Sequence, residues 1–139
     1  MLNLESLAAY AVAAGRDAAE SLMVDACTIT RPRTGAPVVN NNDGTLTPQP
    51  PVVVYTGKCR IQLPATMDKP AETGGEYLST QSALVSLPVT GSDAVTVGDV
   101  VTVTSSTLDV DLTGITYVVR GLHRKSHATA RRLRCEEAN

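Results

Sequence analysis

The chain has no tryptophan and no phenylalanine, and four tyrosines supply all of its aromatic rings. Hydrophobic residues still make up 42% of the 139. A core can therefore form, but from Val, Leu, Ile, Ala and Met, which bury less area each than aromatic side chains. A modest aliphatic core of this kind often gains stability from neighbours in an oligomer. Strong net charge is also missing: the formal value is −2, which speaks against nucleic-acid binding driven by a global basic field. Cysteine is scarce. Cys27, Cys59 and Cys135 are odd in number and far apart, with no CxxC pair, so they read as reduced, buried thiols of a cytosolic protein and not as a disulfide framework. No P-loop, GxGxxG or GxSxG motif occurs, and no catalytic class is indicated. Long apolar runs are absent too. Glu5, Arg16, Asp17 and Glu20 interrupt the N-terminal one, so neither a signal peptide nor a membrane span is expected.

What remains is a single domain, 1–139, with an N-terminal helix within 1–24 and a β domain over 25–136. Leu4, Leu7, Ala8, Ala11, Val12, Ala18 and Leu22 recur at helical spacing and predict a helix over 4–22. Asn3 is its N-cap and Glu5 complements the dipole in its first turn. Gly15 weakens the helix interior by ~1 kcal/mol relative to Ala, which marks a bend or a close contact. The pattern then turns to period two. Residues 25–31 set Cys27 and Ile29 against Ala26, Thr28 and Thr30. Residues 52–63 place Val53, Tyr55, Cys59, Ile61 and Leu63 on one face and Thr56, Lys58, Arg60 and Gln62 on the other. A strand over 76–87 slips phase near Gln81-Ser82, as at a bulge. Val95, Val97, Val101 and Val103 share a face; Ile115, Tyr117 and Val119 begin another strand. In the last strand Leu133 and Cys135 point inward, with Arg132, Arg134 and Glu136 outward. One helix and about six short strands with one apolar face predict a mainly β fold, a small antiparallel barrel or sandwich, with the helix packed on its side or projecting. Two long loops, 33–51 and 64–75, are rich in Pro, Gly and Asn; the first carries a possible hairpin turn at Asp43-Gly44.

The strongest charge feature is the segment from 120 to 134. It holds Arg120, Arg124, Lys125, Arg131, Arg132 and Arg134, together with His123 and His127, and no acid. Three readings stand side by side: a solvated hairpin, a subunit interface that pairs with acids, or a surface facing phosphate. It lacks interleaved aromatics, which speaks against base stacking. His123 and His127, four apart, would make a three-ligand zinc set with Cys135, but they fall near a turn and not on one helical face. No metal or other cofactor is expected. Asp109 and Asp111 before Gly114 read as a turn, because the calcium-loop ligand series is missing.

The order of these pieces resembles the small head-to-tail connector, or stopper, proteins of long-tailed phages of actinobacteria. The resemblance rests on the Ala-rich first helix, Asp25-Ala-Cys-Thr-Ile-Thr-Arg-Pro32, Asp43-Gly-Thr45 and Tyr55-Thr-Gly-Lys-Cys-Arg-Ile-Gln62. It continues through Val97-Gly-Asp-Val-Val-Thr-Val103, Leu112-Thr-Gly-Ile-Thr-Tyr-Val-Val119 and Ala130-Arg-Arg-Leu-Arg134. It implies a structural protein, not an enzyme, forming a homo-oligomeric ring, typically twelve-fold. The ring would sit in the virion neck between the portal or adaptor ring and the tail terminator or tail proteins, after assembly in the host cytoplasm. Its channel would hold packaged double-stranded DNA, with a loop reaching in. Here that loop would be 33–51, through Asn40, Asn41, Asn42 and Asp43, or 64–75, through Lys69 and Glu72. Neighbouring structural roles, such as a tail terminator or minor tail protein, and a small nucleic-acid-binding barrel are the other readings.

Overall fold

The computed structural model describes residues 3–62 and 81–138. Six antiparallel strands close a barrel: β1 (Asp25–Arg31), β4 (Val52–Gln62), β5 (Ser82–Leu87), β6 (Val100–Ser106), β7 (Thr116–His123) and β8 (Arg131–Glu137). Their order around it is β1-β4-β5-β8-β7-β6, with β6 returning to β1. A two-stranded hairpin, β2 (Val38–Val39) and β3 (Leu46–Thr47), stands apart in the β1–β4 connection, and helix α1 (Leu4–Ser21) precedes the barrel. The fold class predicted from the period-two patterning is the one observed, and its barrel alternative is the correct one.

The interior is aliphatic as the composition requires. Ile29, Val85, Leu87, Val101, Val119 and Leu133 are fully buried, with Cys27, Cys59 and Cys135 among them and Tyr55 and Tyr117 at their margins. Two residues assigned inward by alternation are not. Val53 is 58% exposed, because the β1–β4 register shifts between Ile29 and Thr30, where Tyr55 and then Val53 are the partners. The extra residue, Val54, packs against the core instead, as a bulge demands. Val97 is likewise exposed, since β6 begins only at Val100 and residues 96–99 form a turn with Gly98 at φ 96°. Leu63, the loop 64–75 with Lys69 and Glu72, and residues 76–80 of the expected 76–87 strand lie outside the described residues. The described strand begins at Ser82 and pairs with β8 in unbroken register from Ser82–Glu136 to Leu87–Arg131. No bulge falls within that pairing.

The β5–β6 connection crosses one end of the barrel. Val95 drops into the core, and Ser92 and Asp99 are buried. Two arginines hold the crossing. Arg31, at the end of β1, donates to both Asp99 carboxylate oxygens at 3.0 and 3.1 Å and to the Ala94 carbonyl at 2.7 Å; Asp99 also accepts from the Thr96 amide at 2.9 Å. Arg131, at the start of β8, donates to Ser92 Oγ at 2.8 Å, and Ser92 in turn donates to the Pro88 carbonyl.

Helix α1 begins as predicted, with Asn3 Oδ1 accepting from the Ser6 amide at 2.7 Å. It buries none of its residues. Ala8, Val12, Gly15, Arg16, Ala19 and Glu20 form a half-covered stripe, while Leu4, Leu7, Ala11, Ala18 and Leu22 are exposed. Its anchors lie in its C-terminal half: Arg16 Nε donates to the Ala128 carbonyl at 3.2 Å, and Glu20 faces Lys58 at 3.8 Å. Gly15 is a close contact and not a bend, for a Cβ there would lie 2.7 Å from Thr129 Cγ2. We expect Gly15→Ala to loosen this attachment in spite of alanine's higher helix propensity. Adding Thr129→Ser, which removes the clashing methyl, should turn the loss into a gain of up to ~1 kcal/mol. Thermal unfolding of the three chains measures both steps. A single variant as stable as the double one would show that the approach is not tight.

Candidate assembly surface

The β7–β8 hairpin carries the basic segment, and its register decides which residues share a face. Val119 pairs with Cys135 and Gly121 with Arg134, so Arg120 is the extra residue of a bulge. It turns to Glu136 at 3.2 Å. Arg132 and Arg134 are exposed, as the alternation predicts, and neither pairs with an acid among the described residues. Arg131 belongs half to the fold, being tied to Ser92 and, at 3.3 Å, to Asp93. Arg124 and Lys125 are exposed in the turn leading to β8, where His127 adopts φ 57°. The segment is thus divided: Arg120 and Arg131 are paired, while Arg124, Lys125, Arg132 and Arg134 project.

Two cationic side chains outside this segment join it, and sequence distance hid both. The pairings Arg60–Ser86, Ser86–Arg132 and His123–Arg132 bring Arg60 into one cross-strand row with Arg132. Ser86 lies between the two arginines and is buried although it is outward by alternation. The other is Arg16 of α1, whose bond to Ala128 places it against the turn. Together Arg16, His123, Arg124, Lys125, His127 and Arg131 line a pocket of about 210 Å3 whose lining contains no acid. Next to it, sharing Arg16 and His127, runs an open groove of about 570 Å3 along the Leu4, Ala8, Ala9, Val12 and Ala13 side of α1, with Glu5 as its one acid. Arg16 was legible only as a charge interrupting an alanine-rich helix.

The first long loop forms the small hairpin expected at Asp43-Gly44. Asn40 and Thr45 close it, the Asn40 amide donating to the Thr45 carbonyl at 2.9 Å and the Gly44 amide to Asn40 at 2.8 Å. The Asp43 carboxylate accepts from Thr45 Oγ1 at 2.6 Å and from its amide at 3.0 Å; these bonds, the hydroxyl's first, hold it below the usual carboxylate range. Asn40, Asn41, Asn42 and Asp43 are all exposed at the tip, as are Val38, Val39 and Leu46 beside it.

His123, His127 and Cys135 are not brought together as a metal-ligating set. Cys135 is buried in the core, whereas His123 and His127 are exposed. No group of three or more metal-ligating side chains exists among the described residues. All three thiols are free and buried. A hydrogen bond with the Cys27 thiol, and then burial, push Cys59 far above the ordinary thiol range, and burial pushes Cys135 up to about 12. Asp109 and Asp111 belong to a short 3-10 turn (Val110–Leu112) in which the Asp109 carboxylate accepts from the Asp111 amide at 3.1 Å, the turn expected of them. Among the described residues no helix is long and apolar enough to cross a membrane.

The described residues thus define a small closed β-barrel preceded by a helix that buries none of its residues. The chain belongs to a family of unknown function, DUF6093, whose model matches residues 15–136. That span takes in the C-terminal part of α1 and the barrel strands as far as Glu136 of β8. No curated protein and no solved structure matches the chain.

Proposed function

We propose that the chain is a structural neck protein of a long-tailed phage, a head-to-tail connector that forms a ring between the portal or adaptor and the tail and closes the DNA-filled head. The observation that carries this reading is a complete barrel core beside apolar side chains left in water. Leu4 is 84% exposed and Tyr10 77%. Scattered exposed apolar residues are ordinary, but a helix that buries none of its residues and leaves Leu4, Leu7 and Tyr10 exposed suggests contact with another chain. A ring requires two different patches repeated around an axis. The projecting helix with its basic turn is one such patch. The β2–β3 hairpin, with Asn40 to Asp43 at its tip, is the described segment suited to reach into a channel. It carries no cation there, which fits DNA that must slide without being gripped.

Heads assembled without this protein should lose their packaged DNA, and purified protein added to portal-bearing heads should decorate the neck in electron micrographs. DNA retained in full in its absence refutes the stopper role. Label at the distal end of the tail or along the tube would assign it to the tail instead.

A further inference from the structure

Two surfaces of the molecule are complementary and cannot meet within one copy. The first is the continuous cleft formed by the apolar groove of α1 and the basic pocket beside it, joined through Arg16 and His127. The second is the β6–β7 connection. There Leu108 and Val110 are 83% and 76% exposed, and Asp109 and Asp111 stand beside them, also exposed. The connection is not loose. The Asp109 amide donates to Ser106 Oγ at 3.3 Å, Thr107 Oγ1 donates to the Val24 carbonyl at 3.1 Å, and the Leu112 amide donates to the Asp109 carbonyl at 3.2 Å. Apolar and acidic side chains are thus fixed on a short, firm knob. Strand β7 runs from this knob to the basic turn. Its eight residues, at ~3.4 Å each, keep knob and cleft roughly 25 Å apart along the strand.

We infer that the Leu108–Asp111 knob of one copy docks into the α1 cleft of the next, Leu108 and Val110 against the Ala9 and Val12 side of the helix and Asp111 toward Arg124 and Lys125. The occupant is a second copy of this chain, because both halves of the match, apolar to apolar and acid to base, are present on the same molecule. The contact is head-to-tail, since donor and acceptor are different patches at opposite ends of one strand, and repetition gives a ring or a filament. Asp111 is the acid that matters for pairing; Asp109 is occupied in capping the knob. The proposal deepens the ring reading by naming its interface, but does not need the phage setting.

Cross-linking tests it. The native thiols are buried, so new surface cysteines report alone. A chain carrying Val110→Cys with Ala9→Cys, or with Ala13→Cys as a second geometry, is concentrated and oxidised with glutathione disulfide. It should give a ladder of covalent oligomers, whereas a mixture of the single variants should stop at dimers. Asp111→Lys or Lys125→Glu added to the double-cysteine chain should slow the ladder about tenfold by placing like charges together. Both reversals in one chain should restore it, which separates pairing from damage to folding. No ladder in either geometry, or a ladder indifferent to both reversals, overturns the proposal; this includes the case in which the basic pocket serves a phosphate group. DNA retention by heads is measured separately, so a failed interface and a failed neck role give different results.

Discussion

Raising the pH from about 8.5 to about 11 should unfold the barrel. In an unfolded chain a thiol ionises near 8.5. In the folded one, Cys135 is held protonated up to about 12 by burial, and Cys59 is held higher still by its hydrogen bond with Cys27 and by burial. The sign follows directly. Below the unfolded value both states carry the proton and stability is independent of these groups. Above it only the folded state keeps the proton, so each thiol lowers stability by roughly 1.4 kcal/mol per pH unit. Two such groups over two units remove on the order of 5 kcal/mol, comparable with the whole stability of many small domains. Tyr55, whose hydroxyl burial raises to about 12, adds to the slope at the upper end of the window. Denaturant titrations at intervals of pH measure the slope. Cys135→Ala should lower stability at neutral pH by leaving a small cavity, yet flatten the alkaline decline by one proton. A stability flat to pH 11 would mean that the thiols are not enclosed as described.

The second large effect lies at the crossing of the barrel end. Asp99 is 1% exposed, whereas Arg31, which binds it through two donors, keeps nearly half of its side chain in water. Removing either partner is therefore not equivalent. Asp99→Ala discards three accepted hydrogen bonds but returns Arg31 to solvent, a loss of about 2 kcal/mol. Arg31→Ala strands a carboxylate inside the protein and should destabilise more, because an unpaired buried charge costs more than a lost contact. The double variant Arg31→Ala/Asp99→Ala should then be more stable than Arg31→Ala alone, an inversion that a simple sum of contacts does not produce. Equilibrium unfolding of the three chains decides it. Strictly additive losses would show that the pair is not coupled.

The helix, the strands and the inward cysteines could be read from the sequence because alternation and helical spacing are local. Cys27 and Ile29 in β1, and Leu133 and Cys135 in β8, follow the pattern with no interruption. Alternation failed at Val53 and Val97 for a non-local reason: the bulge opposite Ile29 and Thr30 is set by how β1 pairs with β4, and the turn before Val100 by where β6 joins the sheet. Burial of α1 failed in a similar way. Its apolar spacing is genuine, but spacing cannot say whether a partner surface exists in the same chain. The candidate surface was half legible. The run from 120 to 134 is contiguous, whereas Arg16 and Arg60 reach it only through packing and register. Arg31 and Asp99, 68 positions apart, leave no sequence signal of their pairing.

The strand order has a bearing on how the molecule is made. β8 lies between β5 and β7, and β1 between β4 and β6. While the ribosome is still reading the codons of residues 88–130, β5 lacks a neighbour on one side, and the N-terminal strand waits for β6. Closure must follow synthesis of the last strand. A message interrupted before Arg131 would yield a polypeptide with no way to seal its interior, because both β5 and β7 would lack the strand that joins them.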